Sequence, residues 1–185
     1  MRANRRLLVR GAAALAIAAL ALGLRLTVSG RLPAAYDEPV YYNVGQAYAG
    51  ALRAGDWARI PHLDENYEHP ALFKLLYGAV MAPQPPGGHA PVEPDLITDA
   101  STLSLLYDMR VLSAAFGALG VLVAAVASPL AGLFLAVHTY AIRFTGQAYL
   151  EALPMLASTV SVLAYVKSGR RLNGWLAVSA VALGV

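Results

Sequence analysis

The chain contains no cysteine, which excludes a disulfide framework and a thiolate-bound metal site. Charged residues are also scarce, at 14% of the 185 residues, whereas soluble domains carry about 25%. The longest gap lies between Arg110 and Arg143, where the 32 residues at positions 111–142 include no Asp, Glu, Lys or Arg. Because a charge at the centre of a bilayer is costly, this run predicts an integral membrane protein. The alternative is a pair of buried helices in a soluble core.

The uncharged run is too long for one untilted span, since about 20 apolar residues cross the hydrocarbon of a bilayer. Ser128-Pro129 lies in its middle, and the residue before a proline is pushed away from helical geometry. The run therefore predicts a helical hairpin inside an all-α bundle. Together the apolar segments predict spans at about 7–26, 108–127, 129–142, 147–166 and, incompletely, 172–185. We expect the chain to be a fragment or a shortened product, because the last segment is shorter than a span requires.

Basic residues indicate the orientation of these spans. One group precedes the first span and another follows the fourth, so the positive-inside rule places the N-terminus and both groups in the cytoplasm. The chain is then a multi-pass plasma-membrane protein with an extracytoplasmic loop over about 27–107. These groups act as topology signals, and we expect no nucleic-acid partner. A cleaved signal peptide ending near Ala34-Ala35 is the alternative for the first span. The basic residues are Arg2, Arg5, Arg6, Arg10, Lys167, Arg170 and Arg171.

The outer loop predicts two amphipathic helices that lie on the membrane surface. Asp37 suits the N-cap of the first, over Glu38–Arg53, and Pro39 suits its first turn. The second covers Pro70–Met81, and a loop rich in Pro and Gly follows at 83–94. The expected apolar stripes are Val40, Val44, Tyr48 and Leu52 on the first helix, and Leu72, Leu75, Leu76, Ala79 and Val80 on the second.

Ionisable residues at the ends of spans are the candidates for function, because charges near a bilayer are costly and are retained for a reason. Each also has an ordinary structural interpretation, such as a helix cap, a snorkelling cation or an ion pair. Arg110 has Asp108 as a possible partner, and Glu151, one turn into the predicted fourth span, has Arg143. The candidates are Asp37, Glu38, His69, Lys74, Arg110, Arg143 and Glu151.

Four motifs resemble protein O-mannosyltransferases and related family 39 glycosyltransferases. Tyr36-Asp37-Glu38 resembles the Asp-Glu motif of their first outer loop. His69–Leu76 is similar to their His-Pro-Pro-Leu-x-Lys-Leu-Leu, with Ala71 in place of the second proline. Arg110–Leu119 resembles Arg-x-x-Ser-Ala-x-Phe-Gly-x-Leu, and Leu150-Glu151 lies where the family often has Leu-Asp. The resemblance covers nearly the whole chain but only the N-terminal part of the family's architecture.

This resemblance implies the membrane-embedded GT-C fold and transfer of a sugar, expected to be mannose, from a polyprenyl-phosphate donor to a protein or lipid acceptor. It implies Asp37 as the general base and Glu38 as a residue that positions the acceptor or the loop helix. Donor phosphate or acceptor would be bound by His69, Lys74, Arg110, Arg143 and Glu151. No cofactor is required. A divalent metal near Asp37, Glu38 and His69 is conceivable, but no ligand spacing demands one.

Three other functions remain open at this point. Some relatives of the family transfer an aminosugar to lipid A. A non-catalytic membrane scaffold, or a degenerate half of a transferase, would account for a short chain. A secondary transporter is disfavoured because its ionisable groups would lie near the bilayer midplane, whereas those of this chain collect at the outer face.

Overall fold

A computed structural model describes residues 2–63, 70–91, 93–169 and 173–184 of the chain. The described residues form eight α-helices and two short 3₁₀ turns, without a strand, which confirms the all-α fold class. Arg170 and Arg171, part of the predicted cytoplasmic group, lie outside the described residues. The helices are α1 (Arg2–Arg31), α2 (Glu38–Ala54), α3 (Ala71–Met81), α4 (Ala100–Ala127), α5 (Pro129–Val137), α6 (Thr139–Gly146), α7 (Ala152–Ser168) and α8 (Gly174–Leu183).

Within the described part of the chain, two helices are long and apolar enough to cross a membrane: α1 over Leu7–Arg31 and α4 over its full length. Only 11% of the most apolar window of α1 is buried, against 56% for α4. A mostly exposed apolar helix is what a lipid-facing span presents, whereas the core helix of a soluble protein is covered. Helices α7 and α8 are apolar but shorter.

Helix α1 packs through a narrow stripe of mostly small side chains. Ala14, Ala21, Arg25 and Ser29 are buried along it, and they face α4, α5 and α6. Small residues allow the backbones of membrane helices to approach closely. The Ser29 hydroxyl bonds the Gly146 carbonyl at 2.7 Å, so the helix continues to Arg31 rather than ending near residue 26. Arg25, expected at the outer edge of the first span, is therefore inside the helix and fully buried.

The predicted break at Ser128-Pro129 is confirmed. Ser128 has extended backbone angles, and its hydroxyl accepts the Ala131 amide hydrogen at 3.4 Å, while Pro129 occupies the first turn of α5. Helices α4 and α5 then return against each other. A Cβ atom on Gly132 would lie 2.6 Å from the Cα of Ala125, so only glycine permits this approach.

The predicted third span is two short helices rather than one continuous helix. His138 is extended between α5 and α6, and its Nδ1 caps α6 by accepting the Ala141 amide hydrogen at 3.4 Å. The interruption frees the Leu135 carbonyl, which accepts a hydrogen bond from Arg25 Nη2 at 3.5 Å. A break between two helices is stabilised where other protein groups bind its freed carbonyls. At nine residues, α5 is only about 14 Å long.

The two loop helices begin and end close to their predicted bounds, but α3 buries a different face. Leu72 is 43% exposed, and the buried residues are Phe73, Lys74, Tyr77, Gly78 and Met81. Gly78 allows α3 to meet α2, since a Cβ there would lie 3.0 Å from the Ala49 nitrogen. Helices α2 and α3 thus pack on each other and on α4, so their buried faces are set by protein contacts.

Candidate functional site

A buried ion pair joins the start of α2 to α4. Arg110 donates to Glu38 through Nε at 2.8 Å and through Nη2 at 2.5 Å, in a bidentate arrangement across 72 residues of sequence. Glu38 is fully buried, and Arg110 is 5% exposed. The two residues and the groups they bind are termed the Glu38–Arg110 clamp below.

Every polar atom of the clamp is satisfied. The remaining three N–H groups of Arg110 donate to the carbonyls of Ser29, Leu32 and Pro33, at 2.8–3.0 Å. The carboxylate of Glu38 also accepts the Ala35 amide hydrogen at 2.7 Å and the Ala148 amide hydrogen at 2.6 Å. A buried pair repays its desolvation only with such complete bonding, and removal of one partner costs about 3–5 kcal/mol.

The clamp changes the roles expected for its two residues. All five guanidinium donors of Arg110 are used within the protein, so none remains for a donor phosphate. Its partner is Glu38, not Asp108, which accepts a hydrogen bond from Gln84. Glu38 holds the start of the loop helix α2, which is one of the two roles expected for it. The clamp ties the end of α1, the start of α2, α4 and the α6–α7 link into one unit.

Asp37, directly before Glu38, is in the opposite situation. It occupies the N-cap position of α2, as predicted, but its backbone is helical and its side chain makes no capping hydrogen bond. The side chain is exposed, as is the neighbouring Tyr36. Glu38 fixes the backbone at this point, and the carboxylate of Asp37 extends into open space from it.

Charged side chains of both signs surround Tyr149, in the link between α6 and α7. Burial raises the pKa of the Tyr149 hydroxyl, and the negative charges of Asp37 and Glu38 raise it further, while Arg143 lowers it. Glu151 contributes a smaller rise. Asp37, Arg143 and Glu151 are therefore all near enough to this phenol for their charges to affect its pKa. We refer to these four residues, Tyr149 included, as the Tyr149 cluster.

Glu151 does not lie one turn inside a span. Residues 147–151 are non-helical, and α7 begins only at Ala152, so Glu151 sits at its N-cap position with an exposed side chain. Two hydrogen bonds hold residues 147–151 in this non-helical conformation: Tyr77 donates to the Tyr149 carbonyl at 2.6 Å, and the Ala148 amide donates to Glu38. Glu151 lines a shallow cleft of about 310 Å³ beside Pro70. The expected pairing of Glu151 with Arg143 is not formed: Arg143 makes no ion pair with any carboxylate that the structure describes.

Helix α3 carries two further buried polar residues, Lys74 and Tyr77. Both are buried and lie one turn apart on α3. The Tyr77 hydroxyl is 2.7 Å from Ser113 Oγ on α4, and burial raises the pKa of Tyr77 well above 10. Glu38 and Glu151 add to that rise, so both acids lie near Tyr77 as well as Tyr149. His69 lies outside the described residues. In the part of the chain that is described, no group of three His, Cys, Asp or Glu side chains could hold a metal ion.

Two polar residues of the site were not predicted from the sequence. Gln147 is 2% exposed, and its Oε1 accepts no hydrogen bond from the described residues. Arg25 is buried where four helices meet, with Nε donating to Thr145 Oγ1 at 2.7 Å and Nη1 to the Ala21 carbonyl at 3.1 Å. The sequence did contain a signal for Arg25, because an ionisable residue within an apolar helix is by default a candidate functional residue. Gln147 had none, because its burial depends on contacts with distant residues.

Comparisons with protein-family models, with curated proteins and with solved structures find no match to this chain.

Proposed function

We propose that this chain is part of a multi-pass membrane glycosyltransferase of the GT-C type, which moves a sugar from a polyprenyl-phosphate donor to a hydroxyl acceptor. The observation that carries the proposal is the exposed carboxylate of Asp37, on a backbone that the Glu38–Arg110 clamp fixes and near enough to Tyr149 for its charge, like that of Arg143, to affect the Tyr149 pKa. An accessible base and an accessible cation are both needed for this reaction, and few arrangements in a membrane protein supply the two together.

The proposed reaction is a displacement with inversion at the anomeric carbon. The acceptor oxygen bonds to that carbon while its proton passes to the Asp37 carboxylate. The bond from carbon to phosphate oxygen breaks, and the phosphate leaves with the electron pair. Arg143 stabilises the charge that develops on the phosphate, with Lys74 as a second cation. Glu151 and Tyr149 orient the acceptor. His69 belongs to the motif that supplies Lys74, and its proposed role is to hydrogen-bond the donor or the loop.

The proposed setting is the outer face of the plasma membrane. Helix α1 runs outward from a cytoplasmic N-terminus and α4 returns, so the segment from about residue 32 to residue 99 is extracytoplasmic. The resemblance of the motifs to protein O-mannosyltransferases supports mannose as the sugar. Both protein and lipid hydroxyls are proposed acceptors, the latter including the lipid A class.

The direct test is Asp37→Asn, assayed for transfer of labelled mannose from a short polyprenyl-phosphate mannose to serine peptides, to lipid acceptors and to water. Loss of a general base lowers the rate by about 10²–10⁴-fold. Asp95→Asn is the matched control, because Asp95 is an exposed aspartate of the same loop. The variant should remain folded, since the Asp37 side chain is exposed. Transfer at the wild-type rate in Asp37→Asn removes Asp37 as the base.

A non-catalytic membrane scaffold is the second candidate. It is favoured by one observation: both charges of the clamp are used in structural bonds, so two of the six acidic or basic residues in the motifs serve the fold. A scaffold of this kind would show no transfer to any of the three acceptors, and Asp37→Asn would change no measured property.

A further inference from the structure

A cleft of about 580 Å³ lies between the last turns of α1 and helix α6. Its walls are mostly apolar and include Leu24, Val28, Leu32 and Ile142, while Arg143 and Gln147 form its polar end. The volume is in the range of small-molecule sites, about 300–1,000 Å³. Leu24 and Val28 belong to the membrane-length part of α1, so the apolar end of the cleft lies beside the hydrocarbon in the proposed topology.

Gln147 gives this cleft an unmet acceptor. Gln147 is only 2% exposed, and its side-chain nitrogen Nε2 donates one long hydrogen bond, of 3.5 Å, to the Pro33 carbonyl. Its Oε1 accepts nothing from the described residues. Buried side-chain oxygens are nearly always hydrogen-bonded, and a group left without a donor is explained by a ligand or an ordered water. The unmet atom requires a donor such as a hydroxyl.

Arg143 gives the same end of the cleft a positive charge. It lies four residues before Gln147, and the backbone N–H of Gln147 donates to the Arg143 carbonyl at 3.2 Å, so the two residues lie one helical turn apart. Arg143 is exposed and forms no ion pair with a described carboxylate. An exposed guanidinium binds phosphate in a planar, bidentate geometry.

We infer that this cleft binds the phosphate end of a polyprenyl-phosphate sugar, which rests on the proposed function. The phosphate lies on Arg143, a sugar hydroxyl donates to Gln147 Oε1, and the first isoprene units follow Leu24 and Val28. The position supports this occupant over a bilayer phospholipid. Segment Pro33–Ala35 forms one wall of the cleft and reaches Asp37 two residues later, so the anomeric carbon faces the Tyr149 cluster.

The test measures binding of tritiated short-chain polyprenyl-phosphate mannose to the whole chain in nanodiscs of neutral lipid. Arg143→Gln removes the cation, and Thr27→Trp fills the cleft from an exposed position on its α1 wall. Each should weaken binding by about tenfold or more, the scale of one charge-assisted contact. Gln147→Leu should weaken binding several-fold and leave binding of the sugar-free polyprenyl phosphate unchanged. The matched controls, Arg59→Gln and Leu20→Trp, change exposed residues away from the cleft and should bind within twofold of wild type.

A second measurement needs no variant. A photoreactive polyprenyl-phosphate mannose should label wild-type peptides covering residues 24–35 and 139–147, with competition by unlabelled donor but not by phosphatidylglycerol or polyprenol. Labelling confined to other helices overturns the inference, as does equal competition by phosphatidylglycerol, which would identify an ordinary lipid contact.

The two proposals fail separately. If Arg143→Gln and Thr27→Trp bind normally while Asp37→Asn loses transfer, the cleft inference is wrong and the enzymatic proposal stands. If the donor labels the cleft but the wild-type chain transfers no sugar, the enzymatic proposal is wrong and the cleft inference stands.

Discussion

The change Glu38→Gln tests the clamp with the smallest perturbation of shape. Glutamine has the volume of glutamate, but it replaces one acceptor oxygen with a donor NH₂ group. Each oxygen of Glu38 accepts one hydrogen bond from Arg110 and one from a backbone amide. Whichever way the amide is oriented, its NH₂ meets two donors, and the Arg110 charge loses its counter-ion in a buried site.

The structure allows the cost to be worked out. Two hydrogen bonds involving charged groups are lost, at about 1.5–3 kcal/mol each, which gives about 3–6 kcal/mol. The range agrees with the 3–5 kcal/mol found when one member of a buried ion pair is removed. For a chain of this size, 1 kcal/mol lowers the melting temperature by about 2–4 °C, so we expect a fall of about 6–24 °C.

The assay is thermal unfolding of purified protein in detergent, followed by near-ultraviolet circular dichroism and by retention of the monodisperse peak in size exclusion. Asp37→Asn is the matched control, because it changes the preceding, exposed residue and should stay within about 0.5 kcal/mol of wild type. The double variant Glu38→Gln with Arg110→Met should be less unstable than the two single changes added together. Glu38→Gln melting with the wild type would refute the clamp as the element that fixes this loop.

Three further outcomes follow from the structure. Gly132→Ala places a Cβ against the Ala125 backbone and should cost about 1–3 kcal/mol in thermal unfolding, whereas Gly23→Ala, with no atom within 4 Å, should be neutral or slightly stabilising. Hydrogen bonds from Ser101 and Thr102 lower the pKa of Asp99, the N-cap of α4, to about 2. The contribution of this carboxylate to stability is therefore present above about pH 4 and disappears as pH falls through 2. Asp99→Ala should have a lower unfolding temperature than wild type at pH 6 and the same unfolding temperature below pH 2. The raised pKa of Tyr149 favours the neutral phenol in the folded state. The contribution of this phenol to stability is therefore complete below pH 10 and is lost as pH rises through the folded-state pKa. Tyr149→Phe should lose less stability than wild type between pH 9 and 12, measured by unfolding curves.

Features governed by local chemistry were predicted well from the sequence. The break at Ser128-Pro129 follows from proline sterics, which act on the preceding residue whatever the fold. The start of α2 at Glu38 follows from the sequence Asp-Glu-Pro, because proline suits the first turn of a helix. Both signals depend only on neighbouring residues in the chain, so contacts elsewhere in the fold do not alter them.

Features governed by distant contacts were not predictable. The interruption at His138 has no proline or glycine, and it is stabilised by Arg25, 110 residues away from the Leu135 carbonyl that it binds. The face that α3 buries depends on Gly78 meeting Tyr48, which no periodicity reveals. Among the candidate residues, Asp37, Arg143 and Glu151 all affect the pKa of Tyr149, whereas Arg110, which was assigned to a ligand, binds Glu38.

In the proposed reaction, Asp37 as the base and Glu38 as the residue that fixes the backbone divide work that a single residue could not do. A general base must be reachable by substrate and must also hold its position, and these demands conflict because exposed side chains on loops move. Glu38 resolves the conflict by fixing the backbone through four hydrogen bonds, which leaves the Asp37 carboxylate on a rigid base at an open surface. The same clamp binds Ala148, next to Tyr149, so the base and the residues facing it are positioned by one ion pair. Loss of the clamp should therefore abolish transfer even where Asp37 is intact, whereas loss of Asp37 should leave the fold unchanged.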